Sequence, residues 1–180
     1  ADNFKFSQNL RANLAFDFKL GGIDWTAEAI YSKTLNDILY QNLAVDLNGK
    51  TVADVYGLSF DQRPMLSKLS DASKYSGIYA LSNTSKGYTY NLSLSAKKSF
   101  DFGLYLMASY AFTKSKSLNS GTSSVAQSNW QYNYIIGNPN APELGNSAFN
   151  VPHTIRVSAF YTKKWKANRA TTVGLIYTGS

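Results

Sequence analysis

Few side chains in this sequence are of types that do chemistry, and their spacing does not favour it. The single histidine, His153, sits in Pro152-His153-Thr154 at the start of an alternating stretch. A metal or general-base role would need Asp, Glu, Cys or a second His at ligand spacing, and none lies nearby in the sequence. The absence of cysteine removes disulfide and thiol chemistry. No glycine-rich phosphate motif follows a strand and opens a helix, and Gly21-Gly22 reads as a turn. Asp17 and Glu28 are scattered carboxylates on otherwise polar faces, with Arg11 and Arg156 as candidate ion-pair partners. The expectation is a protein that is not an enzyme, with no catalytic residue, metal or cofactor.

Binding is better served. Trp130, Tyr132 and Tyr134 recur every second residue in a polar loop that also holds Asn138. Exposed aromatics beside amides suit a solute such as a peptide or a sugar, so these four are the candidate ligand-binding residues. The plainer alternative is that the aromatics pack their loop onto its neighbour. The chain is basic, with 18 Lys and Arg against 11 Asp and Glu. Lys97, Lys98, Lys163, Lys164, Lys166 and Arg169 gather at short turns, whereas Lys33, Lys114 and Lys116 border long loops. Lysines at strand ends suit lipid or lipopolysaccharide phosphates. Nucleic acid is not expected, because Tyr88, Tyr90 and Phe112 share a face with Leu92, Leu94 and Leu106 and offer no stacking platform among the cations.

The elements that must position these residues announce themselves by period. From Tyr88 to Ala96 the even positions are Tyr, Tyr, Leu, Leu and Ala, and the odd positions between them are Thr, Asn, Ser and Ser. Such alternation marks a strand with one apolar and one polar face. It resumes at Leu104, Leu106, Ala108, Tyr110 and Phe112 after an Asp-Gly-bearing break. Leu10 to Leu20, Trp25 to Tyr40, Ile155 to Tyr161 and Val173 to Tyr177 repeat the plan, giving about six long strands. A strand at Ile78 to Leu81 and a short helix at Pro64 to Ser73 are also expected. The connections alternate in length: short at 21–24, 99–103 and 163–169, long at 46–86 and 117–151. If the strands are antiparallel, short turns collect at one end and long loops at the other, the plan of an outer-membrane barrel with periplasmic turns and extracellular loops. No apolar run reaches the roughly 18 residues of a spanning helix, so only strands could cross. Aromatics fall near both ends of the stretches. Trp25, Tyr31, Tyr88, Tyr90, Tyr110, Phe112 and Trp165 are the expected lipid-interface residues.

The segments Ser85-Lys86-Gly87-Tyr88-Thr89-Tyr90-Asn91-Leu92, Phe102-Gly103-Leu104 and Ala108-Ser109-Tyr110-Ala111-Phe112-Thr113 resemble the barrel of TonB-dependent outer-membrane receptors, above all the Oar-like receptors of the Bacteroidetes type. Trp130 with Asn138-Pro139-Asn140, followed by Val151-Pro152-His153-Thr154-Ile155, is similar to their late-barrel loop and following strand, and Trp25 to Asn42 to an earlier strand pair. The resemblance implies a barrel of about 22 strands closed by a plug domain. It also implies uptake of a solute energised through TonB, and residence in the bacterial outer membrane. On that reading residues 1–180 are part of one all-β, antiparallel transmembrane β-barrel domain. Plug, TonB-contacting segment and remaining strands are expected in other parts of a longer chain. A passive porin or structural barrel, and a soluble β-sandwich binding module, are the alternatives. A sandwich also alternates, but its strands are usually about 5 to 6 residues long.

Overall fold

The structure, a computed structural model, describes residues 3–47, 49–135, 137–166 and 168–180. Ala1, Asp2, Asn48, Ile136 and Ala167 lie outside the described residues. The elements in order are β1 (Gln8–Leu20), β2 (Ile23–Asn42), β3 (Val45–Asp46), α1 (Val52–Tyr56), β4 (Ser67–Lys68), a 3-10 turn (Ser70–Ala72), β5 (Tyr79–Thr84), β6 (Tyr88–Ser99), β7 (Leu104–Ser117), α2 (Ala126–Gln131), β8 (Gly145–Asn146), β9 (His153–Lys164) and β10 (Ala170–Gly179). The chain is therefore all-β, and its strand pairs of known register are antiparallel. It divides into two compact units.

The sheet unit comprises Leu10–Lys33, Tyr88–Ser115 and Phe149–Ser180. Its strands run in the order β1-β2-β6-β7-β9-β10, with β1 and β10 at the two ends of the order rather than paired with each other. Register keeps the apolar positions together. Trp25, Ala27, Ala29 and Tyr31 stand opposite Ala96, Leu94, Leu92 and Tyr90. Leu106 faces Ala159, which faces Leu175, and Ala108 faces Val157, which faces Tyr177. Residues directly opposite in an antiparallel pair share a face, so the alternation written in each strand becomes one continuous apolar surface. The other face carries Thr26 against Ser95, Glu28 against Ser93 and Ser109 against Arg156. Its side chains bond to one another: Asn91 donates to Thr113 (2.7 Å), and Thr89 and Ser115 hydroxyls lie 2.8 Å apart.

In the inner strands the apolar positions are the more exposed ones. In β6, Tyr90, Leu92 and Leu94 are exposed, while Asn91, Ser93 and Ser95 between them are half-buried. In β7, Leu106, Ala108 and Tyr110 are exposed and Ser109 and Ala111 half-buried. Leu92 is 52% exposed, and Leu14 and Leu175, on β1 and β10, reach 75% and 73%. The buried apolar residues of the chain, Ala44, Ala72 and Leu118, all belong to the other unit. Among its described residues the sheet unit has no buried apolar core.

Tight turns fix the strand pairs. Gly21 and Gly22 both have positive φ (61° and 71°), which glycine adopts at no steric cost. At the next turn Phe100 N–H donates to the Leu104 carbonyl and Gly103 N–H to the Phe100 carbonyl. Gly103 has φ 94°, and a Cβ there would run into the Thr162 carbonyl, so the close pairing with β9 requires glycine.

The loop unit holds the residues up to Asn9, Thr34–Gly87 and Lys116–Ala148. Here β5 pairs with the last residues of β2, Asn42 opposite Tyr79 through Asp37 opposite Thr84. The strand at Ile78 to Leu81 is thus Tyr79–Thr84, inside what the sequence reads as a loop. The helix expected at Pro64 to Ser73 is not formed beyond the 3-10 turn at Ser70–Ala72. Pro64 instead bridges to Thr51, and Ser67–Lys68 pairs with Val45–Asp46. The helix of this connection is α1, fixed by a reciprocal Thr51–Asp54 capping box and ended by Gly57 in the left-handed conformation.

Candidate functional site

The interface candidates of the sheet unit form contacts at the strand ends. Near the short turns the Trp25 ring stacks on Phe18 at 6.2 Å, and its indole N–H points to the Leu20 carbonyl (3.4 Å). Trp165 donates to the Thr171 hydroxyl (3.1 Å), and the Lys163 ammonium lies 4.5 Å from its ring centroid. Lys98 sits likewise 5.0 Å from Phe100. Each pair combines an apolar ring with a charged tip.

At the other ends of these strands Tyr88 tilts against Tyr90 at 5.2 Å, and Tyr90 stacks on Tyr31 at 5.0 Å. Tyr110 hydroxyl and His153 Nδ1 are 2.8 Å apart, and Phe112 packs 5.5 Å from the imidazole. His153 is thus a member of the aromatic layer. Leu104 to Phe112 spans eight residue steps, about 26 Å of strand at 3.3 Å per residue, or about 20 Å when tilted 40°.

The carboxylates make different partners from those expected. Asp17 accepts a hydrogen bond from the Thr26 hydroxyl across the first hairpin. Among the described residues neither Asp17 nor Glu28 pairs with Arg11 or Arg156; the ion pairs are Lys19–Asp24 (3.6 Å) and Arg63–Asp61 (2.5 Å). Hydrogen bonds from the Arg63 guanidinium hold the Asp61 carboxyl below the usual carboxylate range. No group of three or more His, Cys, Asp or Glu could hold a metal among the described residues.

The four loop candidates separate into two kinds. Trp130, Tyr132 and Tyr134 do not alternate along an extended segment, because Ala126–Gln131 is helical and Tyr132 is its C-cap. Trp130 is half-buried: its indole N–H donates to Asn140 Oδ1 (2.9 Å) and its ring meets Tyr79 edge-on at 6.0 Å. Asn138 is also a framework residue, its Oδ1 accepting from the Asn140 N–H (2.8 Å). Tyr132 and Tyr134 are 73% and 101% exposed, available to a ligand but not gathered with Trp130 into one platform.

Two residues without a sequence signal of their own organise this unit. Asn140 Oδ1 also accepts from the Asn42 N–H (2.8 Å), and Asn140 Nδ2 donates to the Asn42 carbonyl (3.0 Å). Asn42 is buried, and its own Oδ1 accepts from the N–H groups of Ala44 and Ile78. The pair pins one long connection to the end of β2 by satisfying backbone groups that no strand partner reaches. No family model, curated protein or solved structure matches the chain.

Proposed function

We propose that this chain is part of a transmembrane β-barrel of the outer-membrane type, belonging to a TonB-dependent receptor that takes up a solute bound by its extracellular loops. The observation that carries the proposal is the reversed exposure of the sheet: a continuous apolar face turned outward and a hydrogen-bonded Ser, Thr and Asn face half-buried. In water an apolar face of this extent is a liability. In lipid it is the solvent-matched surface of a barrel whose interior is polar. Aromatic layers at both strand ends, with Lys98 and Lys163 over rings at the short-turn end, support the same medium. Six strands enclose no lumen of transporter size, so the proposal requires further strands along β1 and β10.

The receptor assignment within that class rests on the resemblance of the Ser85 to Leu92, Ala108 to Thr113 and Val151 to Ile155 segments. It makes the outer membrane the location, with lipopolysaccharide, a plug domain and TonB as partners. The test is on the whole protein purified from its source. Detergent dependence, a heat-modifiable band well above the mass of this chain, and solute uptake abolished by collapsing the inner-membrane proton gradient are expected. Uptake indifferent to that gradient would make it a passive porin. A monodisperse species without detergent would overturn the membrane assignment and favour a sandwich.

A further inference from the structure

We infer that a cleft between the two long connections of the loop unit binds a neutral peptide with aliphatic side chains, its main chain read by Gln131 and Asn133. The inference deepens the transport proposal and rests on it only in taking the loop unit to face the outside. The cleft encloses about 470 Å3, within the range of roughly 300–1,000 Å3 usual for small-ligand sites. One wall comes from Val52 and residues 63–66 and the other from residues 130–135 with Gly137 and Pro139.

Its chemistry is selective. Val52, Leu66 and Ile135 give it aliphatic surface, and Trp130 adds an indole whose N–H is already committed to Asn140. Among the described residues the charged group in the lining is Arg63, and its Nε and Nη2 are both engaged by Asp61. The ion pair carries no net charge, and Arg63 Nη1 keeps its donors. The other side-chain polar groups of the lining are two amides. Asn133 Nδ2 donates to the Leu118 carbonyl (2.8 Å), which leaves Asn133 Oδ1 as an acceptor. Gln131 Oε1 lies 3.5 Å from Gln127 Nε2, which leaves Gln131 Nε2 as a donor. Each amide thus keeps at least one N–H and one acceptor lone pair, which match the C=O and N–H of a peptide. A sugar of the same volume would set hydroxyls against the aliphatic wall without partners, which is costly.

The experiment titrates the purified whole protein, in detergent micelles, with three probes: the capped tetrapeptide acetyl-Ala-Val-Leu-Gly-amide, the capped acidic peptide acetyl-Glu-Asp-Glu-Gly-amide, and maltotetraose. Binding is read from the side-chain amide NMR signals of Gln131 and Asn133. Saturable shifts with the apolar peptide are expected, weakened at least tenfold by Leu66→Arg and unchanged by Tyr75→Ala, an exposed residue of the same unit outside the lining. Tighter binding of the acidic peptide or of maltotetraose, no shift with the apolar peptide, or indifference to Leu66→Arg would overturn the inference. Heat-modifiable migration of the same samples reports the barrel separately. Lost binding with intact migration overturns the peptide site alone, and binding without heat-modifiability keeps the site and overturns the barrel.

Discussion

Tyr31 and Tyr90 stand directly opposite each other on β2 and β6, their rings stacked with centroids 5.0 Å and planes 26° apart on the exposed apolar face. Cross-strand aromatic pairs contribute about 0.5–1.5 kcal/mol beyond their burial. Tyr90→Ala should lower the urea midpoint of the protein in lipid vesicles by a loss in that range, and Tyr90→Trp, which keeps a ring and favours an interface, should restore it. Equal losses in both variants would mean that the ring pair is not what Tyr90 contributes.

On the opposite face Phe160 lies over Gly174, its directly paired residue on β10. A Cβ at position 174 would come 2.6 Å from Phe160 ring atoms. Overpacking of this kind typically costs about 1–3 kcal/mol. Gly174→Ala should be destabilised by that amount in equilibrium unfolding, and adding Phe160→Leu should recover part of it. A neutral Gly174→Ala would show that the ring is free to move aside.

Asn140 joins the chain to the end of β2 through both its amide groups. Asn140→Ala leaves the Asn42 N–H and carbonyl unpaired, at about 1–3 kcal/mol for each group left unsatisfied. The expected outcome is faster limited proteolysis within residues 117–148 and red-shifted emission from Trp130, which loses its Asn140 partner. Asn140→Asp, which keeps the acceptor, should be milder. Unchanged cleavage would remove Asn140 from its pinning role.

A pH effect is localised at α1. The Thr51 backbone N–H, then the Thr51 side chain, hold the Asp54 carboxyl below its ordinary value. A lowered folded pKa means that the carboxylate supports the cap fully above the unfolded value and loses it as pH falls through the folded one. Relative to its intrinsic rate, amide exchange at Thr51 should therefore be slow at neutral pH and accelerate only below the usual carboxylate range. Asp54→Asn should remove that acid dependence. An acceleration centred near pH 6 would assign it to another group.

The sheet was largely legible because period two is a direct record of its two faces. Leu92 and Ser93 declare themselves by alternation, and Gly21-Gly22 and Phe100 to Gly103 by turn chemistry. Alternation alone does not name the medium against the apolar face, since a sandwich and a barrel alternate alike; strand length and loop asymmetry favour the barrel in the sequence, and the exposure of Leu92 beside a half-buried Ser93 supports that proposal. The loop unit was read poorly. Thr51-Val52-Ala53-Asp54 carried a capping signal, but the helix was expected at Pro64 to Ser73. The spacing of Trp130, Tyr132 and Tyr134 suggests one shared side of a loop, although Trp130 is helical. Asn42 and Asn140 could not be paired from sequence, because a long-range amide contact leaves no local pattern.

The most direct test uses the absence of cysteine from residues 1–180, with any cysteine elsewhere in the whole protein first replaced by serine. Single cysteines replacing Leu92 and Ser93, spin-labelled in the whole protein reconstituted in vesicles, sample the two faces at one height of β6. Oxygen concentrates in lipid and a neutral nickel chelate in water. Greater relaxation by oxygen at position 92, and by nickel at position 93, is predicted. Nickel access at position 92, or a label there shielded from both reagents as inside a second protein layer, would contradict a lipid-facing sheet.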